Sequence, residues 1–185
     1  MAKNTAVFGI YRDTVALGSG LERLRAAGFR STDVSVLMPE NLGTKDFAHK
    51  KDTKAPEGTA TGAVSGAVIG GALGWLVGIG ALAIPGLGPF IAAGPIMGML
   101  AGAGAGGAVG GVTGALIGMG IPEYEAKRYE GRVKSGGILI SVHCDGSDWV
   151  KRAKTVLEES GAEDVASSGE ASADYAVSER PGSRI

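Results

Sequence analysis

Residues 58–122 read GTATGAVSGAVIGGALGWLVGIGALAIPGLGPFIAAGPIMGMLAGAGAGGAVGGVTGALIGMGIP. The stretch carries no Asp, Glu, Lys or Arg; Glu57 is the last charge before it and Glu123 the next. Twenty-one of the chain's 33 glycines lie in these 65 positions. Thirteen keep a four-residue register: Gly58, Gly62, Gly66, Gly70, Gly74 and Gly78, then Gly94, Gly98, Gly102, Gly106, Gly110, Gly114 and Gly118. Residues four apart form a ridge on one helix face, and a ridge of glycine is a groove that another backbone can enter. Helical glycine is less favourable than alanine by about 0.8–1 kcal/mol, so the thirteen would cost about 10 kcal/mol before any packing gain. The register predicts a glycine-zipper helical hairpin over residues 58–121, with these glycines as helix-packing and oligomerisation positions. Between its helices, ALAIPGLGPFIAAGP (residues 81–95) holds Pro85, Pro89 and Pro95 and reads as a turn.

Lipid is one setting in which such helices form, because a backbone in hydrocarbon has no water to bond. Thr61 to Ile84 is 24 residues, about 36 Å as helix against a hydrocarbon core of about 30 Å. Ile91 to Ile121 is longer, with Pro95 bending or starting it, and Trp75 and Phe90 suit the interface. Residues 101–115 have only Val109 and Val112 as large apolar side chains, so this helix needs a partner. Three readings follow: a hairpin in membrane with both flanks on one side, a zipper for oligomerisation in membrane or as a soluble bundle, and a low-complexity linker. The register argues against the linker, which needs none.

Outside the insert, all 37 charged residues share the remaining 120 positions, and the flanks read as ordinary α/β protein. Ala6–Tyr11 suits a buried strand. Asp13 caps a helix whose Leu17, Leu21 and Leu24 make one stripe, and Gly28 ends it. Val34, Val36 and Met38 mark a second strand, and residues 40–57 a charged linker. Beyond the insert, Pro122 starts a helix with Glu123–Lys127 and Glu130–Lys134 pairs and Ala126, Tyr129 and Val133 on one face. Ile138–Val142 is a strand. Ser147 or Asp148 caps a last helix with Val150, Ala153 and Leu157 inward, and Asp164–Ala166 is a short edge strand.

Without the insert and the helix after it, the order is the βαββαβ of a ferredoxin-like lobe. The fold class expected is therefore α+β, a ferredoxin-like lobe split by the hairpin. The divisions are 1–57 (first half of the lobe plus linker), 58–121 (hairpin), 122–166 (second half) and 167–185 (flexible tail). Each half is too thin to fold alone, so one sheet should take strands from both.

Composition excludes several chemistries. A net charge of −1 offers no general pull on nucleic acid. One cysteine, Cys144, forms no intrachain disulfide, and with His49 and His143 it makes a poor structural zinc set. His143-Cys144-Asp145 is no nucleophilic pair, because strand neighbours point to opposite faces. Gly102–Gly107 lacks the Lys-Ser/Thr of a phosphate loop and the strand and acid of a dinucleotide fingerprint. Lys45, Lys50, Lys51 and Lys54 could meet anionic headgroups, but Asp46 and Asp52 dilute them. No catalytic residue, metal or cofactor is expected. The start of the chain is no signal peptide, which places the lobe on the cytoplasmic side.

Ala6–Tyr11, the glycine-rich insert, Ile121–Ala126, Gly136–Val142 and Gly161–Val165 resemble bacterial general stress proteins of the 17M-like domain family over residues 5–170. The resemblance implies a non-enzymatic, stress-associated protein, here anchored to the cytoplasmic membrane and self-associating through its hairpin, with itself and the bilayer as partners. One alternative is a soluble, cytoplasmic homo-oligomeric scaffold or shell. Similar zipper proteins are also labelled subunits of a quinol:electron acceptor oxidoreductase of the alternative complex III type. With no haem or iron–sulfur motif in the chain, that label implies an accessory role.

Overall fold

The computed structural model describes residues 5–40, 42, 71, 73–84, 87–104 and 111–169. Within them the chain runs β1 (Thr5–Tyr11), α1 (Thr14–Ala26), a 3-10 turn (Ser31–Asp33), β2 (Val34–Pro39), β3 (Gly80–Ile84) and β4 (Gly88–Ala93). It continues through α2 (Pro95–Gly104), α3 (Gly111–Gly118), α4 (Glu123–Lys134), β5 (Ile138–Cys144), α5 (Ser147–Glu159) and β6 (Glu163–Gly169).

The flanking elements form where local chemistry directs them. The Asp13 carboxylate accepts the Ala16 N–H at 2.8 Å and starts α1. Leu17, Leu21 and Leu24 are fully buried. Along α4, Lys127 meets Glu123 and Lys134 meets Glu130, each at 2.6 Å. At α5 the cap position falls on Gly146, and neither Ser147 nor Asp148 makes a capping bond. β6 runs past Ala166 to Gly169.

Six strands make one sheet in the order β3-β4-β2-β5-β1-β6, with every neighbouring pair antiparallel. Val7 of β1 stands opposite Val142 of β5 and, on its other side, Ser167 of β6. Strands from both ends of the chain thus interleave. The sheet alternates its side chains between two cores, as period two requires. Val7, Tyr11, Ile140 and Val142 face α1 and α5, with Leu17, Leu21 and Leu157. Phe8, Ile10 and Leu139 face α2, α3 and α4, with Ile96, Leu100, Leu116 and Val133. The described part of the glycine-rich insert is therefore folded back on its own lobe.

Two expectations are corrected here. Residues 80–84 and 88–93 are strands, where a helix to Ile84 and a turn over 81–95 were expected. Pro85 and Pro89 cannot continue a helix, and Gly88 turns the chain with a φ of 98°. Phe90 and Ala92 enter one core while Ile91 and Ala93 enter the other, which is strand alternation. The second correction concerns span. Among the described residues no helix is long and apolar enough to cross a membrane. α1 and α5 reach 13 residues each, where about 20 apolar ones are needed. Residues 58–70 lie outside the described residues.

Candidate functional site

The thirteen register glycines do not sit on two helices. Gly74 precedes a bend, and Gly78 and Gly94 take positive φ values of 65° and 75° at turns flanking the β3–β4 hairpin. Gly98 and Gly102 lie in α2, and Gly114 and Gly118 in α3. Among the described residues, nothing beyond the local backbone comes within 4 Å of a Cβ placed at Gly74, Gly98 or Gly114. Gly58, Gly62, Gly66, Gly70, Gly106 and Gly110 lie outside the described residues.

Gly94 is where the insert grips the lobe. A Cβ there would overlap the Val34 carbonyl oxygen and come within 3.0 Å of Ser35 Cα. Only glycine combines that φ with so close a backbone. Beside it, the Ile96 N–H donates to the Ser35 hydroxyl at 3.3 Å, so β2 supplies a cap for α2, which Pro95 opens. Phe90, expected at a lipid interface, is buried beneath this junction, and Trp75 is half-buried against the other core.

A second junction ties α3 to α4. The Thr113 hydroxyl and backbone N–H both donate to the Glu130 carboxylate, which also pairs with Lys134. Burial alone would push this carboxyl up. The bonds from Lys134 and Thr113 outweigh it, and Glu130 titrates below its ordinary value. The Ser168 hydroxyl donates to the Gly120 carbonyl at 2.7 Å, joining β6 to the α3–α4 turn.

The densest charge cluster lies along β6 and was missed by sequence reasoning. Arg12 and Arg132 pair with Glu163, and Arg128 and Arg132 pair with Asp164. Asp164 adopts a φ of 53°, next to a register shift in the β1–β6 pairing between Phe8 and Ile10. The Tyr129 hydroxyl donates to the Asp164 carbonyl at 2.8 Å; burial first, then Glu125, pushes its pKa up to about 12. The i,i+4 spacing of Arg128 and Arg132 was the available signal. Every cation in the cluster meets a carboxylate, and the arrangement anchors the β6 edge.

His143 and Cys144 separate as strand neighbours do. Cys144 is buried under α1 and α5, while His143 Nε2 lies 3.0 Å from Asp145. Among the described residues no three of His, Cys, Asp and Glu could hold a metal ion. Tyr124 is exposed and bonds only its neighbour Glu125. His49 and Lys45, Lys50, Lys51 and Lys54 lie outside the described residues. Two clefts flank β4. One, of about 260 Å³, is an apolar groove walled by Val36, Met38, Leu73, Ile79 and Ile91. The other, of about 470 Å³, lies between Pro39, Leu87, Pro89 and the end of α4 at Lys134. Neither brings together the polar groups that a reaction would need.

The described residues bring together no metal-binding set, and kinship decides. The family model described as Alternative complex III, ActD subunit, matches residues 5–167. The chain belongs to this family. No curated protein and no solved structure is significantly similar to it. Membership of the ActD family corrects the resemblance to the 17M-like general stress proteins, and the stress association implied by it falls too. The quoted motifs are strands, turns and a small-residue insert, which a fold imposes without family-specific chemistry. Self-association as the sole protein contact is also corrected, since a family named for one subunit of a complex has other protein partners. The alternative of an accessory subunit agrees with the ActD description.

Proposed function

We propose that the chain is a non-catalytic accessory subunit of a quinol:electron acceptor oxidoreductase complex of the alternative complex III type. The match to the ActD family across residues 5–167 carries this reading. In the same reading the flanks form a ferredoxin-like lobe, divided at 57/58 and 121/122, which stands on the cytoplasmic side of a membrane complex. The test is purification through a tag on the full-length chain from membranes solubilised in mild detergent. Haem absorbance should co-migrate with the chain at the mass of a multi-subunit complex. A purely homomeric, haem-free preparation would overturn the proposal.

A further inference from the structure

The two edges of the sheet are finished differently. β6 carries charge, a register shift and the left-handed Asp164, all devices that deter a further strand. β3 has none of them. Its sequence, GALAI, lies inside the stretch without a single charge, and Ala81 and Ala83 are exposed. Val77 and Ile79, which lead into it, are 45% and 49% exposed.

Proline chemistry fixes which backbone groups of β3 face outward. Ala83 pairs with Pro89, which has no N–H, so this is a non-hydrogen-bonded pair of the ladder. Alternation then directs Gly80, Leu82 and Ile84 toward β4 and turns the N–H and C=O of Ala81 and Ala83 away from it. Among the described residues no strand lies beyond β3. Ala81 also stands opposite Ile91, a wall of the apolar groove, so alternate side chains of an added strand would continue the groove's face.

We propose that β3 is a docking edge that takes an extended, uncharged, apolar segment of another subunit as a seventh strand. The inference rests on the accessory-subunit reading and names the surface that reading requires. Main-chain hydrogen bonding identifies the occupant as an extended strand. The uncharged sequence of β3 and the apolar groove beside it favour an uncharged occupant, since a charge placed against them would lose water without gaining a partner.

The experiment compares the full-length chain alone with the complex purified through its tag. On assembly, the Ala81 and Ala83 amides should exchange with deuterium at least about tenfold more slowly. Ala83→Pro removes an outward N–H and spares the β4 ladder. It should keep the melting temperature and cut recovery of the other subunits about tenfold. Ala83→Lys, which keeps every backbone group, should do the same and serves if the proline variant misfolds. Wild-type recovery with a folded variant, or unchanged amide exchange on assembly, overturns the docking edge and leaves the accessory-subunit reading standing. If the wild-type chain brings down no other subunit, that reading fails and the docking edge with it. Slowing caused by self-association alone also overturns the docking edge.

Discussion

One face of the sheet is covered by two amphipathic helices, and the other adds two uncharged helices to the amphipathic α4. α1 and α5 are amphipathic, with a leucine stripe inward and Arg23 and Glu159 paired outside at 3.3 Å. α2 and α3 carry no charge on any side, yet they bury Ile96, Leu100, Val112 and Leu116 against the same sheet. A helix that is apolar all round is ordinarily a buried one. Here the inward side packs on the lobe, while Ile117 on the outward side remains 43% exposed. Charge patterning announces the first pair of helices, and tertiary context alone makes the second.

The largest expected effect tests whether the insert is welded to the lobe. Gly94→Val forces a side chain onto the Val34 carbonyl at a backbone angle that valine avoids, and it should cost more than about 4 kcal/mol by chemical denaturation. A change below about 1 kcal/mol would mean that α2 does not dock as described. Next comes a matched pair. Leu21→Ala under α1 and Leu116→Ala under α3 should each cost about 2–5 kcal/mol, because both side chains are fully buried. If only Leu21→Ala destabilises, the insert face contributes no core and the comparison breaks.

Glu130→Gln probes the α3–α4 junction and should cost about 1–2 kcal/mol at neutral pH, as a charge-assisted bond is exchanged for a neutral one. Because the folded carboxyl titrates low, its contribution is present above the ordinary glutamate range and is lost as the pH falls through the depressed value. Denaturation across acidic pH should show a steeper decline in the wild type than in the variant. Tyr129 works in the opposite direction. Its phenol is raised from 10.0 to about 12, so its contribution holds below pH 10 and fades as the pH rises toward 12. Tyr129→Phe should flatten that alkaline decline. The smallest effect sharpens the comparison from the glycine side. Among the described residues nothing lies within 4 Å of a Cβ at Gly98, so Gly98→Ala should stabilise the isolated chain by up to about 1 kcal/mol. A loss of stability there would place a close neighbour over α2.

Much of the flanking lobe was legible before any coordinate. The Asp13 cap, the Leu17–Leu21–Leu24 stripe, both i,i+4 pairs on α4 and the β5 strand rest on local chemistry, which acts within a few residues. The insert was not legible in that way. A four-residue glycine register satisfies a helix template, but Gly78 and Gly94 serve turns, and a register cannot tell a helical ridge from turn glycines that happen to fall in step. The proline-glycine turn between ALAI and FIAA carried the hairpin signal, and the helical pattern on both sides overrode it. The β6 cluster stayed hidden because Arg12, Arg128 and Arg132 are distant in sequence from Glu163 and Asp164 and meet them only once β6 lies along β1 beside α4. Nothing in the family motifs carried a reaction, so kinship had to come from the whole match.

The interleaving of the sheet has a consequence for synthesis. β1 is made well before both its neighbours, β5 and β6, which follow only after residue 137. The nascent chain therefore carries an unpaired, largely apolar β1 throughout translation of the uncharged stretch. In that interval each sticky segment can find only the other or a chaperone. The arrival of β5 and β6 closes the sheet around β1, which makes synthesis of those two strands, more than any early helix, the event that commits this chain to its fold.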